Sequence, residues 1–300
     1  KALGSTPIKG VIISADDQVI AYQGGNSFVK LLSIADDSQS AQISGRLPRG
    51  NPISPDSKMI GIIQIEDTKN IINLHSLSPT APQSMFKLYN FPITASVNDM
   101  VNGSISYSPD SNMLTAFAGG DFKYWSTSSG LELKESLPKR EDKCYAIYRQ
   151  GKDGKPDIFI VAGSENGVIY SDTNLKYFCQ APRNPRTISE KFLPDGSIIA
   201  LSLQNQLIEV WNANNTEQKI ETEIKTPGDV LDVTISNNGK LLATASVGGA
   251  IEIYNLETME LIKILDLRTG PINQVLFSND GKYIISGSSD GTLRFFGLYP

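Results

Sequence analysis

The stretch Ser278-Asn279-Asp280-Gly281-Lys282-Tyr283-Ile284-Ile285-Ser286-Gly287-Ser288-Ser289-Asp290-Gly291-Thr292-Leu293-Arg294-Phe295-Phe296 decides the fold of this 300-residue chain. It opens on a turn whose Asn, Asp and Gly favour tight backbone reversal. An apolar run from Tyr283 to Ser288 follows, then a second turn at Asp290-Gly291, then another run from Thr292 to Phe296. Runs of this length and composition, separated by small-residue turns, read as antiparallel strands.

The same unit recurs along the chain. Its opening turn reads Ala15-Asp16-Asp17, Pro55-Asp56-Ser57, Pro109-Asp110-Ser111, Lys152-Asp153-Gly154, Pro194-Asp195-Gly196, Asn237-Asn238-Gly239 and Asn279-Asp280-Gly281. The central residues are 40, 54, 43, 42, 43 and 42 positions apart. A second column lies further along each unit, near the end of a later strand: Leu32, His75, Trp125, Tyr170, Trp211, Tyr254 and Phe296, with steps of 43, 50, 45, 41, 43 and 42. Both tryptophans and the sole histidine fall in it. Two columns in phase over seven units, with no long helical period between them, predict a repeat of four short strands, which is a propeller blade. The expectation is an all-β, seven-bladed β-propeller of four-stranded antiparallel blades, one domain over residues 1–300. The last unit supplies three strands, so Lys1 to Ile8 are expected to close the final blade by pairing as its outer strand and hiding an exposed edge.

At these residues the chain resembles the WD-repeat family. Ser278 to Leu293 carries the best match and Ser236 to Leu256 nearly equals it. The resemblance spans the whole chain but is degenerate. The family's Trp-Asp pair stands here as Trp125-Ser126, Trp211-Asn212, Tyr254-Asn255 and Phe296-Gly297, and its Gly-His pair as Gly228-Asp229 and Gly270-Pro271. The buried His–Asp–Ser–Trp network of the family therefore has no complete set of residues in any blade. Asp290 is the clear survivor of its Asp position. Cohesion is left to apolar packing between sheets. The resemblance also implies that the binding surface is the face carrying the loops into each inner strand and the turns between second and third strands.

Composition narrows function. A net charge of −5 offers no general attraction for nucleic acid. No apolar run approaches the roughly 18 residues of a membrane span, and Lys1 to Ile13 lack the apolar core of a signal peptide. Cys144 and Cys179 fall on the inner and outer strands of one unit, too far apart to bridge. Free thiols place the protein in the cytoplasm; the sequons Asn102-Gly103-Ser104 and Asn214-Asn215-Thr216 weigh the other way.

Catalytic constellations are not evident. With one histidine, His75, and that one in the bulky strand column, a Ser or Cys nucleophile lacks its usual base. A zinc site wants several His and Cys ligands at close spacing, and the recurring Asp residues are explained by their turns. Gly287-Ser288-Ser289-Asp290-Gly291 lacks the Lys and helix of a phosphate loop. No cofactor is expected. The primary expectation is a non-enzymatic scaffold, monomeric within a complex, that binds other proteins or peptides on its loop face. The alternatives are a propeller enzyme with a carboxylate or metal site at the channel, drawing on Asp290, Asp229 and Asp121, and a structural subunit of a coat or pore assembly.

Two features mark where a partner would sit. The step of 54 brings about 12 extra residues, mostly near Met85 to Val101, with Phe86, Tyr89 and Phe91 among them. Long loops are often functional, and these aromatics either form a contact patch or fold back onto their own blade. The second feature is basic: Lys139, Arg140, Lys143, Arg183 and Arg186 flank the loops into the fourth and fifth units, with Arg46 and Arg49 before the second, where guanidinium groups can grip carboxylates or phosphates.

Overall fold

The computed structural model describes residues 6–25, 27–36, 38–66, 69–88, 104–118, 121–133, 143–150, 156–163, 168–171, 177–180, 187–192, 198–204, 207–212, 222–268 and 270–298. Among them there is no helix, and the strands form seven sheets that follow one another along the chain. The first contains Gly10–Ile13, Val19–Gln23, Phe28–Ser33 and Ser40–Ser44; the second, Met59–Glu66, Lys69–Ser76 and Ser84–Leu88. The third contains Ser104–Tyr107, Met113–Ala118, Asp121–Ser126 and Glu132–Leu133, and the fourth Lys143–Gln150, Pro156–Gly163, Val168–Ser171 and Tyr177–Gln180. The fifth runs through Thr187–Phe192, Ile198–Gln204, Leu207–Asn212 and Thr222–Lys225, and the sixth through Val230–Ile235, Leu241–Ser246, Ala250–Asn255 and Leu261–Asp266. Ile272–Phe277, Tyr283–Ser288 and Leu293–Gly297 make the seventh.

The bulky column is a register position. Leu32, His75, Trp125, Tyr170, Trp211, Tyr254 and Phe296 each stand on a third strand opposite one residue of the second: Ile20, Ile60, Leu114, Ile160, Ala200, Leu242 and Ile284. A slip of one residue would turn each of these side chains to the other face. The side chains of Leu32, His75, Trp125 and Tyr254 are buried.

Five opening turns share one construction. Ser14, Ser54, Ser108, Ser236 and Ser278 are buried, and each donates its hydroxyl to the acid or amide two residues on, at 2.6–2.7 Å. The same oxygen accepts the backbone N–H of the residue five positions later, which opens the second strand, at 2.9 Å. The fourth residue of the turn takes positive φ: Asp17, Ser57, Ser111, Gly239 and Gly281, at 58, 58, 61, 70 and 71°. Glycine suits that conformation, whereas the other three bear a steric cost of about 1–2 kcal/mol.

Those three strained side chains link neighbouring repeats. The Asp16 N–H donates to Ser57 Oγ and the Asp56 N–H to Ser111 Oγ, both at 3.1 Å. In the same sense, the N–H groups of Asn279 and Asp280 donate to the two carboxylate oxygens of Asp17 at 2.8 Å, joining the last repeat to the first. Where the acceptor position is Gly281, the link is made instead by the Asn237 side-chain amide, which donates to the Asn279 carbonyl at 2.8 Å. A second set of links serves the inner strands. Asp232 accepts the Val275 N–H at 3.0 Å and Gln274 accepts the Val11 N–H at 2.5 Å, so a side chain of one inner strand satisfies the exposed edge of the next.

Among the described residues, apolar clusters join several of the sheets. Ala21, Val29 and Leu31 of the first meet Ile60 and Ile62 of the second, and Ile72, Leu74 and Leu88 of the second meet Ile105, Leu114 and Trp125 of the third. Ile208 and Ile224 of the fifth pack with Leu242 and Tyr254 of the sixth, and Ile251 and Ile253 of the sixth with Ile272 and Ile284 of the seventh. Ile285 and Leu293 of the seventh share a cluster with Ile20, Tyr22 and Leu32 of the first. The same seam includes Ile8, whose N–H donates to the Ser288 carbonyl of the seventh sheet's second strand at 3.0 Å and whose carbonyl accepts from the Asn273 side chain of its first at 2.7 Å. Residues 1–5 of the expected closing strand lie outside the described residues.

The second repeat departs from the four-stranded pattern. Its innermost segment, Arg49–Asn51, pairs in parallel with Ser104–Tyr107 of the third sheet and meets its own sheet only through the isolated bridges Arg46 to Ile63 and Ile53 to Ile60. Pro48 and Pro52 bracket this segment and lack the N–H groups an antiparallel ladder would use. Gly50, at φ 86°, fits because a Cβ there would stand 2.5 Å from the Ile105 carbonyl oxygen.

Candidate functional site

Antiparallel order puts the serine turns at one end of the sheets and the turns between second and third strands at the other. At that second end the turns meet the loops that enter the inner strands. The Val247 N–H donates to the Asp229 carbonyl, and the Ser289 N–H to the Pro271 carbonyl, each at 2.9 Å. Ser289 Oγ donates to Asn273 Oδ1 at 3.1 Å. These bonds fix the two kinds of loop as one surface at the sixth and seventh sheets. Val247, 43% exposed, is an apolar residue presented there.

Asp290 lies on this surface, and its carboxylate is engaged within its own turn. Arg294 Nη2 donates to Oδ2 at 2.7 Å, while the Thr292 N–H and hydroxyl donate to Oδ1 at 3.0 and 2.5 Å. Arg294 Nη1 also reaches Thr292 Oγ1. Burial would raise the Asp290 pKa, but the hydrogen bonds from Arg294, Thr292 and Ser288 outweigh it and hold the group far below the ordinary carboxylate range. Asp290 is thus a fixed anion whose first partners are internal. Asp229 has an exposed side chain, Asp121 lies on a strand whose outward detail is outside the described residues, and no group of three or more His, Cys, Asp or Glu among the described residues is placed to hold a metal ion.

Phe86 is corrected by the structure. The sequence reading placed it in a loop insertion, whereas Ser84–Leu88 is the outer strand of the second sheet, with Leu74 opposite Phe86. The alternation of Met85 and Lys87 outward with Phe86 and Leu88 inward lays the Phe86 ring on the cluster shared with the third sheet, in contact range of Gly130. Its position is that of a core residue. Tyr89, Phe91, Arg183 and Arg186 lie outside the described residues, as do the side chains of Arg49 and Trp211.

The sixth sheet shows what occupies the place of the missing buried network. Tyr254 donates its hydroxyl to Glu252 Oε2 at 2.6 Å, and the Thr244 hydroxyl stands 3.5 Å from the same oxygen. Burial, then the Glu252 bond, pushes the Tyr254 phenol well up, so it stays a donor. Sequence reasoning paired Tyr254 with no acid because Glu252 lies two positions before it on the same strand. Their separation by one residue, which puts both on one face, is the signal that would have found the pair. His75 differs: among the described residues neither of its buried ring nitrogens has a hydrogen-bond partner, and burial lowers its pKa. Cys144 and Cys179 stand on the first and last strands of the fourth sheet, roughly 14 Å apart by strand spacing, which rules out a bridge. No helix among the described residues is long and apolar enough to cross a membrane.

Comparison with known proteins accords with the repeat. The family described as "WD domain, G-beta repeat" matches residues 218–255 and 259–296, which run from the outer strand of the fifth sheet through the sixth and the seventh. The chain is 23% identical over 200 residues to Protein HIR1 of Kluyveromyces lactis, an alignment covering 55% of this chain and 23% of that protein. It is 28% identical over 96 residues to eukaryotic translation initiation factor 3 subunit I of Aspergillus fumigatus, covering 32% and 28%. It is 31% identical over 107 residues to the WD repeat-containing protein slr1410 of Synechocystis, covering 36% and 31%. Each alignment spans less than a third of the relative's own length. The chain therefore carries WD40 repeats, and WD repeat-containing proteins are among those it resembles.

Proposed function

We propose that the seven sheets close into a seven-bladed propeller that serves as a protein-interaction scaffold, taking its partner on the face that carries Asp290, Val247 and the loops into the inner strands. The observation that supports this reading is the seam: the first and last sheets share an apolar cluster and the Asp17 to Asn279 bonds, as a ring that closes on itself requires. Function on such a repeat fold resides in the loops rather than in the blades. Tyr89 and Phe91, beyond the outer strand of the second sheet, supply aromatic anchors in this reading, and Arg183 and Arg186 supply orientation. The scaffold acts as a monomer inside a larger assembly in the cytoplasm, where Cys144 and Cys179 stay reduced. A relative named as a subunit of a translation initiation factor supports a place in a multiprotein assembly. The test is affinity capture from native extract with the parent protein and a Tyr89→Ala/Phe91→Ala variant. The variant loses the captured protein while melting with the parent; capture that survives the double substitution removes these residues from the site.

A further inference from the structure

On the first sheet, Tyr22, Lys30 and Gln42 stand opposite one another across three adjacent strands. They share one face, and the place of Tyr22 in the cluster with Ile285 and Leu293 turns that face toward the seventh sheet. The Lys30 ammonium sits 5.9 Å from the centre of the Tyr22 ring. Among the described residues no carboxylate pairs with it, and neither the Tyr22 hydroxyl nor the Gln42 amide has a hydrogen-bond partner. The equivalent row of the sixth sheet, Thr244 and Glu252, is buried and bonded internally to Tyr254. In the first sheet the row opens instead onto a cleft of roughly 310 Å³, with Ile8 and Gly291 on its walls and Phe28, 42% exposed, at its mouth.

Among the described residues the lining has one charged group, the Lys30 cation, and no acid. Three donors with no hydrogen-bond partner among the described residues thus share one row beside the exposed Phe28 ring. We propose that this cleft binds an acidic side chain and its apolar neighbour from an extended segment of a partner protein. The carboxylate receives hydrogen bonds from Lys30, Tyr22 and Gln42, and the apolar neighbour covers Phe28. A small hydrated anion would satisfy the donors and leave Phe28 uncovered, so the peptide matches both halves of the cleft. The volume is at the low end for a ligand pocket, which suits one or two side chains. This inference rests on the scaffold reading and adds to Tyr89 and Phe91 a second contact with a stated chemistry.

The probes are N-acetyl-Leu-Glu-Leu-amide, its Gln counterpart and sodium acetate, titrated into the full chain and followed by amide chemical shifts. The Glu peptide is expected to give saturable shifts at Phe28, Lys30 and Gln42. Lys30→Met, which keeps the apolar stem, weakens it at least tenfold, the Gln peptide binds at least tenfold more weakly, and Phe28→Ala weakens the peptide but not acetate. Equal binding of the Glu and Gln peptides, or of peptide and acetate, overturns the proposal, as does undiminished binding to Lys30→Met. Binding that appears only after deletion of residues 1–5 also overturns it, since the cleft would then seat the chain's own N-terminal segment. If Lys30→Met captures the native partner as the parent does while Tyr89→Ala/Phe91→Ala does not, the cleft fails and the scaffold reading stands.

Discussion

Asp17 concentrates the cost and benefit of the contact between the first and last repeats in one residue. It holds φ at 58°, a conformation that favours glycine, yet its carboxylate accepts the N–H groups of Asn279 and Asp280 at 2.8 Å and the Asn279 side-chain amide at 3.0 Å. Asp17→Gly relieves the backbone and removes every one of these bonds. Hydrogen bonds to a charged acceptor contribute about 1.5–3 kcal/mol each, and this half-buried site belongs at the low end, so the two backbone bonds together stabilise by about 3 kcal/mol. Relief of the left-handed strain returns about 1 kcal/mol. The net loss is about 2 kcal/mol, which for a 300-residue chain lowers the melting temperature by about 3 °C. Arg268→Gly is the control. Arg268 has φ 47° and an exposed ion pair with Asp266, so the same relief comes with almost nothing lost. Differential scanning calorimetry should rank Arg268→Gly at or above the parent and Asp17→Gly clearly below it. An Asp17→Gly protein that melts with the parent would show that the seam does not depend on this turn.

Trp125→Ala should cost about 3–5 kcal/mol by equilibrium denaturation, because the indole is fully buried between the second and third sheets; a loss under about 1 kcal/mol would place the ring at the surface. Ser54→Ala strands the Met59 N–H in a buried turn and should cost about 1–3 kcal/mol, read from the same denaturation curves. His75 sets a pH dependence. Its folded pKa is lowered, so the unfolded imidazole takes up a proton that the folded one refuses, and stability falls as the pH drops below about 6.5. Since it is the sole histidine, His75→Leu should flatten the slope of melting temperature between about pH 5 and 7 without destabilising the fold; a slope that persists in the variant assigns it to other groups.

Much of the fold was legible because its two columns are fixed by geometry. Turn residues recur where the chain must reverse, and the bulky residues recur where one strand register buries them, so both survive sequence divergence. The serine two positions before each turn acid or amide was equally visible at 14, 54, 108, 236 and 278, but its meaning depends on a bond to an N–H five residues on, which spacing alone does not reveal. The parallel pairing of Arg49–Asn51 was hidden because nothing local marks which neighbour a proline-bracketed segment will join. Phe86 was misplaced because excess length suggested a loop, although Ser84 to Leu88 alternates as a strand should. The Lys30 cleft was invisible in sequence: Tyr22, Lys30 and Gln42 look like scattered residues until three strands align them.

The central claim is a closed ring of seven blades whose first and last repeats meet. A crystal structure of residues 1–300 tests it most directly. The expected result is seven sheets around one axis, with the Asp17 carboxylate within hydrogen-bond distance of the Asn279 and Asp280 N–H groups and Ile8 seated against Ser288. A ring of six or eight blades, or a gap between the turn at Asp17 and the turn at Asn279, would contradict it.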